Sequence, residues 1–166
     1  MFNPFQKLEL IKAEVFMSMP AKFRKKARSG WSDPNRQGAE VECFLEGPSF
    51  DRDGKLWFVD IPFGRIFRIS PEGDWELITQ YEGWPNGLKF HKDGRAFITC
   101  YKHGLMALDT QTGKLETVLG NKHHHHLANL CFGGPDGKTI YITESMSGDI
   151  LTARMPVAGK TMYGLS

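Results

Sequence analysis

Glu46, Asn86 and Asn129 bring one carboxylate and two side-chain amides to matching places in the chain, at steps of 40 and 43 residues. Their oxygens are hard donors of the kind calcium takes, and calcium gathers about 6 to 8 of them, so water or a second chain would have to complete the set. The alternative for the two asparagines is that their short amides bond turn backbone. For Glu46 it is a surface or ion-paired carboxylate. His123 to His126 form a second candidate, because imidazole suits nickel, copper and zinc. Consecutive side chains point in different directions, however, and the other reading of this run is a solvated connector or a remnant of engineering. No Gly-x-Ser-x-Gly stretch is present to suggest a serine hydrolase.

The elements that position these residues are repeats. Asp-Gly glycines stand at 54, 94 and 137, a blade-sized period. After each comes an apolar strand (56 to 59, 96 to 100, 139 to 143), a glycine turn at Gly64, Gly104 or Gly148, and a further strand (65 to 69, 105 to 108, 150 to 153). In the first two repeats Pro71-Glu72-Gly73 and Thr110-Gln111-Thr112-Gly113 lead into 75 to 79 and 115 to 119. Four short antiparallel strands joined by glycine turns make one propeller blade, with Glu46, Asn86 and Asn129 each starting an innermost strand near the axis.

The expected fold is therefore all-β: three four-stranded β-propeller blades at about 45–81, 82–120 and 121–163, within a half-propeller over 40–166. A four-stranded sheet this small cannot bury both faces, so three blades leave two raw faces that should be apolar. Val41 to Phe44 reads as an outermost strand without a blade of its own, while the third repeat ends in Thr161 to Ser166 with a short or absent fourth strand. The spacing predicts a homodimer closing a six-bladed ring, each chain lending residues 41–44 to its partner's last blade. Residues 1–39 read as a helical cap or blade-edge cover, with an amphipathic helix over Lys7 to Met17 and a second short helix around Ala21 to Arg28.

Composition sets the class. Of 166 residues 40% are hydrophobic and 24% charged, as in folded globular proteins. The apolar runs are strand-sized, against roughly 20 residues for a membrane span, and the N-terminus lacks the basic start and apolar core of a secretory signal. A cytoplasmic protein with no membrane partner is expected. The net charge of +2 gathers at Lys22, Arg24, Lys25, Lys26 and Arg28, without a nucleic-acid module, so no nucleic-acid partner is expected. Cys43, Cys100 and Cys131 are too widely spaced for a zinc or disulfide framework and read as reduced thiols.

Glu46-Gly47-Pro48-Ser49-Phe50-Asp51 with Asp60-Ile61-Pro62-Phe63-Gly64-Arg65-Ile66-Phe67-Arg68, then Trp84-Pro85-Asn86-Gly87-Leu88, resemble the first and second blades of the senescence marker protein, gluconolactonase and luciferin-regenerating enzyme family. Residues 132–145 resemble its last blade, so the resemblance covers about 15–163 with the middle blades missing. It implies a six-bladed propeller with a divalent cation on its axis, commonly calcium, with zinc, manganese or magnesium as alternatives. Its metal-binding Glu matches Glu46, and Asn86 resembles a second-blade Asn near metal and substrate. The family's catalytic Asp has no counterpart here; Asp136 sits in an Asp-Gly turn at the far end of its strand.

In a closed dimer the strand starts would read Glu, Asn, Asn, Glu, Asn, Asn. Asn129 would then stand where the family has its metal-binding Asn, and the second Glu46 where it has its Asp. The activity so implied is calcium-dependent hydrolysis of a small lactone or ester, with one Glu46 as ligand and the other as base. The alternative is a self-assembling half-propeller without catalysis.

Overall fold

The structure, a computed structural model, describes residues 13–120 and 126–160. Its strands are set by the Asp-Gly motif. Asp51 Oδ1 accepts from the N–H groups of Asp53 and Lys55, Asp93 Oδ1 from Arg95 N, and Asp136 Oδ1 from Lys138 N. Each aspartate closes the turn on its own backbone, while Gly54, Gly94 and Gly137 take the positive φ it needs.

The hairpins extend into three antiparallel sheets. β1 (Leu45–Phe50), β2 (Leu56–Asp60), β3 (Arg65–Ile69) and β4 (Trp75–Gln80) pair in chain order as blade 1. β5 (Pro85–Phe90), β6 (Ala96–Cys100), β7 (Gly104–Leu108) and β8 (Leu115–Leu119) do the same as blade 2. Blade 3 holds β9 (Leu127–Gly133), β10 (Thr139–Glu144) and β11 (Ile150–Arg154), with β11 at its edge. Blades 1 and 2 have the four strands expected, and blade 3 has three among the described residues. After β11 the chain turns away: Gly159 N donates to Gly137 O, and Gly159 bridges to His91 of blade 2. Thr161 to Ser166, where a fourth strand was sought, lie outside the described residues.

Side chains alternate across each sheet, so the faces stack blade on blade. Trp57, Val59 and Ile66 of blade 1 pack on Leu88, Ile98 and Leu108 of blade 2. Phe97 and Leu105 on the other face of blade 2 meet Leu130, Phe132, Ile140 and Ile142 of blade 3. The outer face of blade 1 is also covered: Met19 and Phe23 lie with Phe58, Phe67, Ile69 and Trp75 in one apolar cluster. On the outer face of blade 3, Cys131, Tyr141, Thr143 and Thr152 are exposed. One raw face is thus filled by the chain itself, and the other is mixed rather than broadly apolar.

The N-terminal part is less helical than its pattern suggests. Residues 13–17 are not helical, and the rest of the helix expected over Lys7 to Met17 lies outside the described residues. In place of a helix over Ala21 to Arg28 there is a single 3-10 turn, Ala21–Phe23, followed by one α turn, Ser32–Asn35. Contacts with blade 1 hold this segment extended: Arg65 Nη1 donates to Phe23 O (2.7 Å), and Ala27 bridges antiparallel to Val41. Residues 41–44 lie between that bridge and β1, with Phe44 N donating to Asp60 Oδ1 (2.6 Å).

Candidate functional site

Irregular pairing at the start of each inner strand shapes the place where the candidate residues stand. The β1–β2 register slips between Glu46 and Ser49, β5–β6 between Pro85 and Leu88, and β10–β9 between Ile142 and Glu144. Such bulges bend a strand and re-aim its side chains. Here they also let the inner strands approach closely. A Cβ on Gly47 would lie 2.5 Å from the Asn86 carbonyl oxygen, and one on Gly87 would lie 2.8 Å from Asn129 Oδ1. The starts of β1, β5 and β9 are therefore neighbours.

Thr99 fixes two of these starts. Its buried hydroxyl accepts from Gly87 N (2.8 Å) and donates to Ala128 O (2.6 Å), tying β5, β6 and β9 together. In blade 3, Thr143 Oγ1 accepts from Asn129 N (3.0 Å), and its own proton faces Asn129 O at 3.3 Å. Sequence reasoning passed over Thr99; the signal was a hydroxyl within the apolar run Ala96 to Cys100.

The oxygens of the three candidates are not equally available. Glu46 is half-buried, with Oε2 3.4 Å from Gly47 N. Asn86 is half-buried and its amide makes no hydrogen bond among the described residues. Asn129 is exposed, and its Oδ1 accepts from Leu130 N at 3.0 Å. His126 packs against Tyr101 with ring centroids 3.9 Å apart and the planes tilted by 55°, and its buried Nδ1 has no hydrogen bond among the described residues; the other three histidines of the run lie outside them. Among the described residues no group of three or more His, Cys, Asp or Glu could hold a metal ion. One carboxylate and two amides, one of them engaged with backbone, do not by themselves fit calcium.

The carboxylates ending the second strands are structural. Asp60 is fully buried, accepting from Phe44 N and from Arg65 Nη2 at 2.6 Å. Burial pushes its carboxyl up, against the pull of that N–H and of the guanidinium. Glu144 Oε2 accepts from Ser147 N, Ser147 Oγ and Met146 N, and these bonds pull its carboxyl down to about 2.

Residues 44–129, more than half of the chain, match the model of the SMP-30/Gluconolactonase/LRE-like region. The chain belongs to that family. Among curated proteins it is similar to lactonase drp35 of Staphylococcus aureus strain USA300, 38% identical over 74 residues that cover 43% of this chain and 21% of that protein. The corresponding lactonase drp35 of Staphylococcus epidermidis is 42% identical over 60 residues, 34% of this chain and 18% of that one. The chain spans about a fifth of the length of these relatives.

Solved structures show the same fold. A luciferin-regenerating enzyme superposes with a TM-score of 0.60 at 14% identity, over 74% of this chain and 48% of that one. Regucalcin from Agrobacterium tumefaciens, described as a calcium-binding protein, gives 0.58 at 19% over 75% and 52%. A gluconolactonase of Xanthomonas campestris gives 0.56 at 17% over 71% and 46%. The described sheets thus correspond to about half of a family propeller.

Proposed function

We propose that this chain is a non-catalytic half-propeller that assembles with a second copy of itself. The donor set at the strand starts supports the absence of catalysis: Glu46 is its one carboxylate, and Asn129 Oδ1 is bonded to Leu130 N. Self-assembly is supported by the edge of blade 3. In blade 2 a Cβ on Gly104 would strike Leu119 O of the fourth strand at 2.4 Å, whereas among the described residues the matching Gly148 has nothing within 4 Å. A strand from a second copy fits that space; residues 41–44, the expected source, would first have to leave Ala27, Asp60 and Arg65 of their own chain. The three free cysteines suit a reducing, cytoplasmic setting, and no helix among the described residues is long and apolar enough to cross a membrane.

A second reading draws on the convergence of β1, β5 and β9. A six-bladed dimer would bring two copies of Glu46, Asn86 and Asn129 round one axis, to hold calcium and act on a small lactone. Solution mass and lactone hydrolysis, each measured with and without calcium, separate the two. A dimer without calcium-dependent turnover is expected. Turnover that needs calcium and disappears in Glu46→Gln would replace the first reading by the second, and a well-folded monomer at micromolar concentration would overturn both.

A further inference from the structure

A second concavity lies at the opposite ends of β1 and β5 from Glu46 and Asn86. There the first two Asp-Gly turns meet residues 109–111 and Lys160, enclosing about 760 Å³. That volume falls in the range of small-molecule sites, about 300–1,000 Å³.

Most of its carboxylates are already engaged. Asp51 accepts from two backbone N–H groups and from Trp57 Nε1 (2.8 Å). Asp93 accepts from Arg95 Nη2 (2.7 Å), and its Oδ1 lies 2.9 Å from His91 Nδ1; although burial opposes it, these contacts hold its carboxyl far below the usual range. Asp109 accepts from Gln111 N and Thr112 N. The carboxylate of Asp53, exposed in its turn, has no partner among the described residues.

The cations divide differently. Arg95 is bound to Asp93 and Arg68 to Glu76, while Arg52 Nη2 donates to Lys92 O (3.0 Å). The ammonium groups of Lys55, Lys92 and Lys160 make no ion pair among the described residues, although Glu72 lies within electrostatic reach of Lys55. Guanidinium forks bind carboxylate or phosphate; those of Arg68 and Arg95 are given to carboxylates, while Arg52 keeps Nε and Nη1 without a partner among the described residues. The lysine ammonium groups are compact point charges that also bind phosphate. Phe50, 58% exposed, and the half-buried Phe90 add apolar surface to the same wall.

We propose that this groove binds a phosphorylated small molecule, its phosphate among Lys55, Lys92 and Lys160 and its organic part against Phe50 and Phe90. The site is separate from the strand starts and needs neither calcium nor turnover. Glucose 6-phosphate and AMP, with glucose and adenosine as controls, can be titrated calorimetrically into the full chain at low ionic strength, where screening is weakest. Saturable binding of at least one phosphate is expected, absent for its unphosphorylated counterpart, and the preferred probe shows whether the organic part is sugar or nucleoside. The Lys55→Gln/Lys92→Gln variant should bind it about tenfold more weakly or worse. Both side chains reach solvent, and circular dichroism checks the variant's fold; Lys160→Glu gives the same readout independently. No saturable binding of either phosphate, or unchanged affinity in folded variants, overturns the proposal.

Discussion

The outer faces of blades 1 and 3 come from the same repeat and end in opposite states. On blade 1, Phe58 and Phe67 are 5% and 0% exposed under Met19 and Phe23; on blade 3, Tyr141 and Ile150 are 37% and 63% exposed. The repeat dictates strands and turns, but burial of an end face depends on what the rest of the chain can lay over it. Composition follows that division. The covered face is aromatic, with Phe58, Phe67 and Trp75, while the open one presents Thr143 and Thr152 beside Tyr141. An antiparallel sheet can leave such a face in water.

Core truncation on the two faces should separate them most. Phe67→Ala removes a fully buried ring and is expected to cost about 3–5 kcal/mol, whereas Tyr141→Ala should cost less than about 1 kcal/mol. Urea denaturation of both variants measures the gap. Equal losses would mean that blade 3 is covered in solution as blade 1 is, which in the proposed assembly only the partner could do.

The polar anchor of the cap comes next. Arg65 spans Asp60, Phe23 O and Glu42 O, so Arg65→Ala leaves the Asp60 carboxylate buried without its partner and frees two cap carbonyls. Losing one member of a buried pair costs about 3–5 kcal/mol. The lower end is expected here, since Phe44 N still reaches Asp60. Amide exchange should show residues 17–28 losing protection before the strands of blade 2. Uniform loss would instead make cap and blades one cooperative unit.

Smaller still is a contrast between two turns. Gly104→Ala combines a positive φ of 82° with a clash against Leu119 O, and should cost about 2 kcal/mol or more; Gly148→Ala bears the φ cost alone, about 1 kcal/mol. Thermal melts give the order. A Gly148→Ala cost that rises with protein concentration would mark a partner strand at that edge, because dimer stability depends on concentration.

The same contrast explains what was legible in the sequence. Gly54, Gly94 and Gly137 each formed the expected turn, and every strand after them lies within a residue or two of its apolar run, because turn chemistry and alternation are local. The N-terminal segment was not legible: Val15 and Phe16, expected on the buried side of a helix, are 83% and 76% exposed. Blade 1 instead selects Met19 and Phe23, a tertiary choice that no short window contains. At the candidate site the repeat located Glu46, Asn86 and Asn129 at neighbouring strand starts, but the turning of Asn129 Oδ1 onto Leu130 N is a side-chain orientation that periodicity does not encode.

The smallest effect concerns two carboxylates at corresponding strand ends, Asp60 closing β2 and Glu144 closing β10. Asp60 is held up by burial, so the native state keeps its proton longer than the unfolded chain, and its contribution falls as pH rises through the raised value. Glu144 has the opposite sign. Bonds from Ser147 and Met146 lower it from 4.5 to about 2. Its contribution is therefore full above 4.5 and is lost as pH falls towards 2. Glu144→Gln should melt below the parent near neutral pH and approach it as pH falls through that window, because the parent is then giving up the charge that the variant never had. Melting temperatures of both proteins across the window give the test. A constant difference over the whole range would mean that the 145–147 turn does not hold this carboxylate, and that blade 3's open end is looser than blade 1's covered one in its turns as well as on its face.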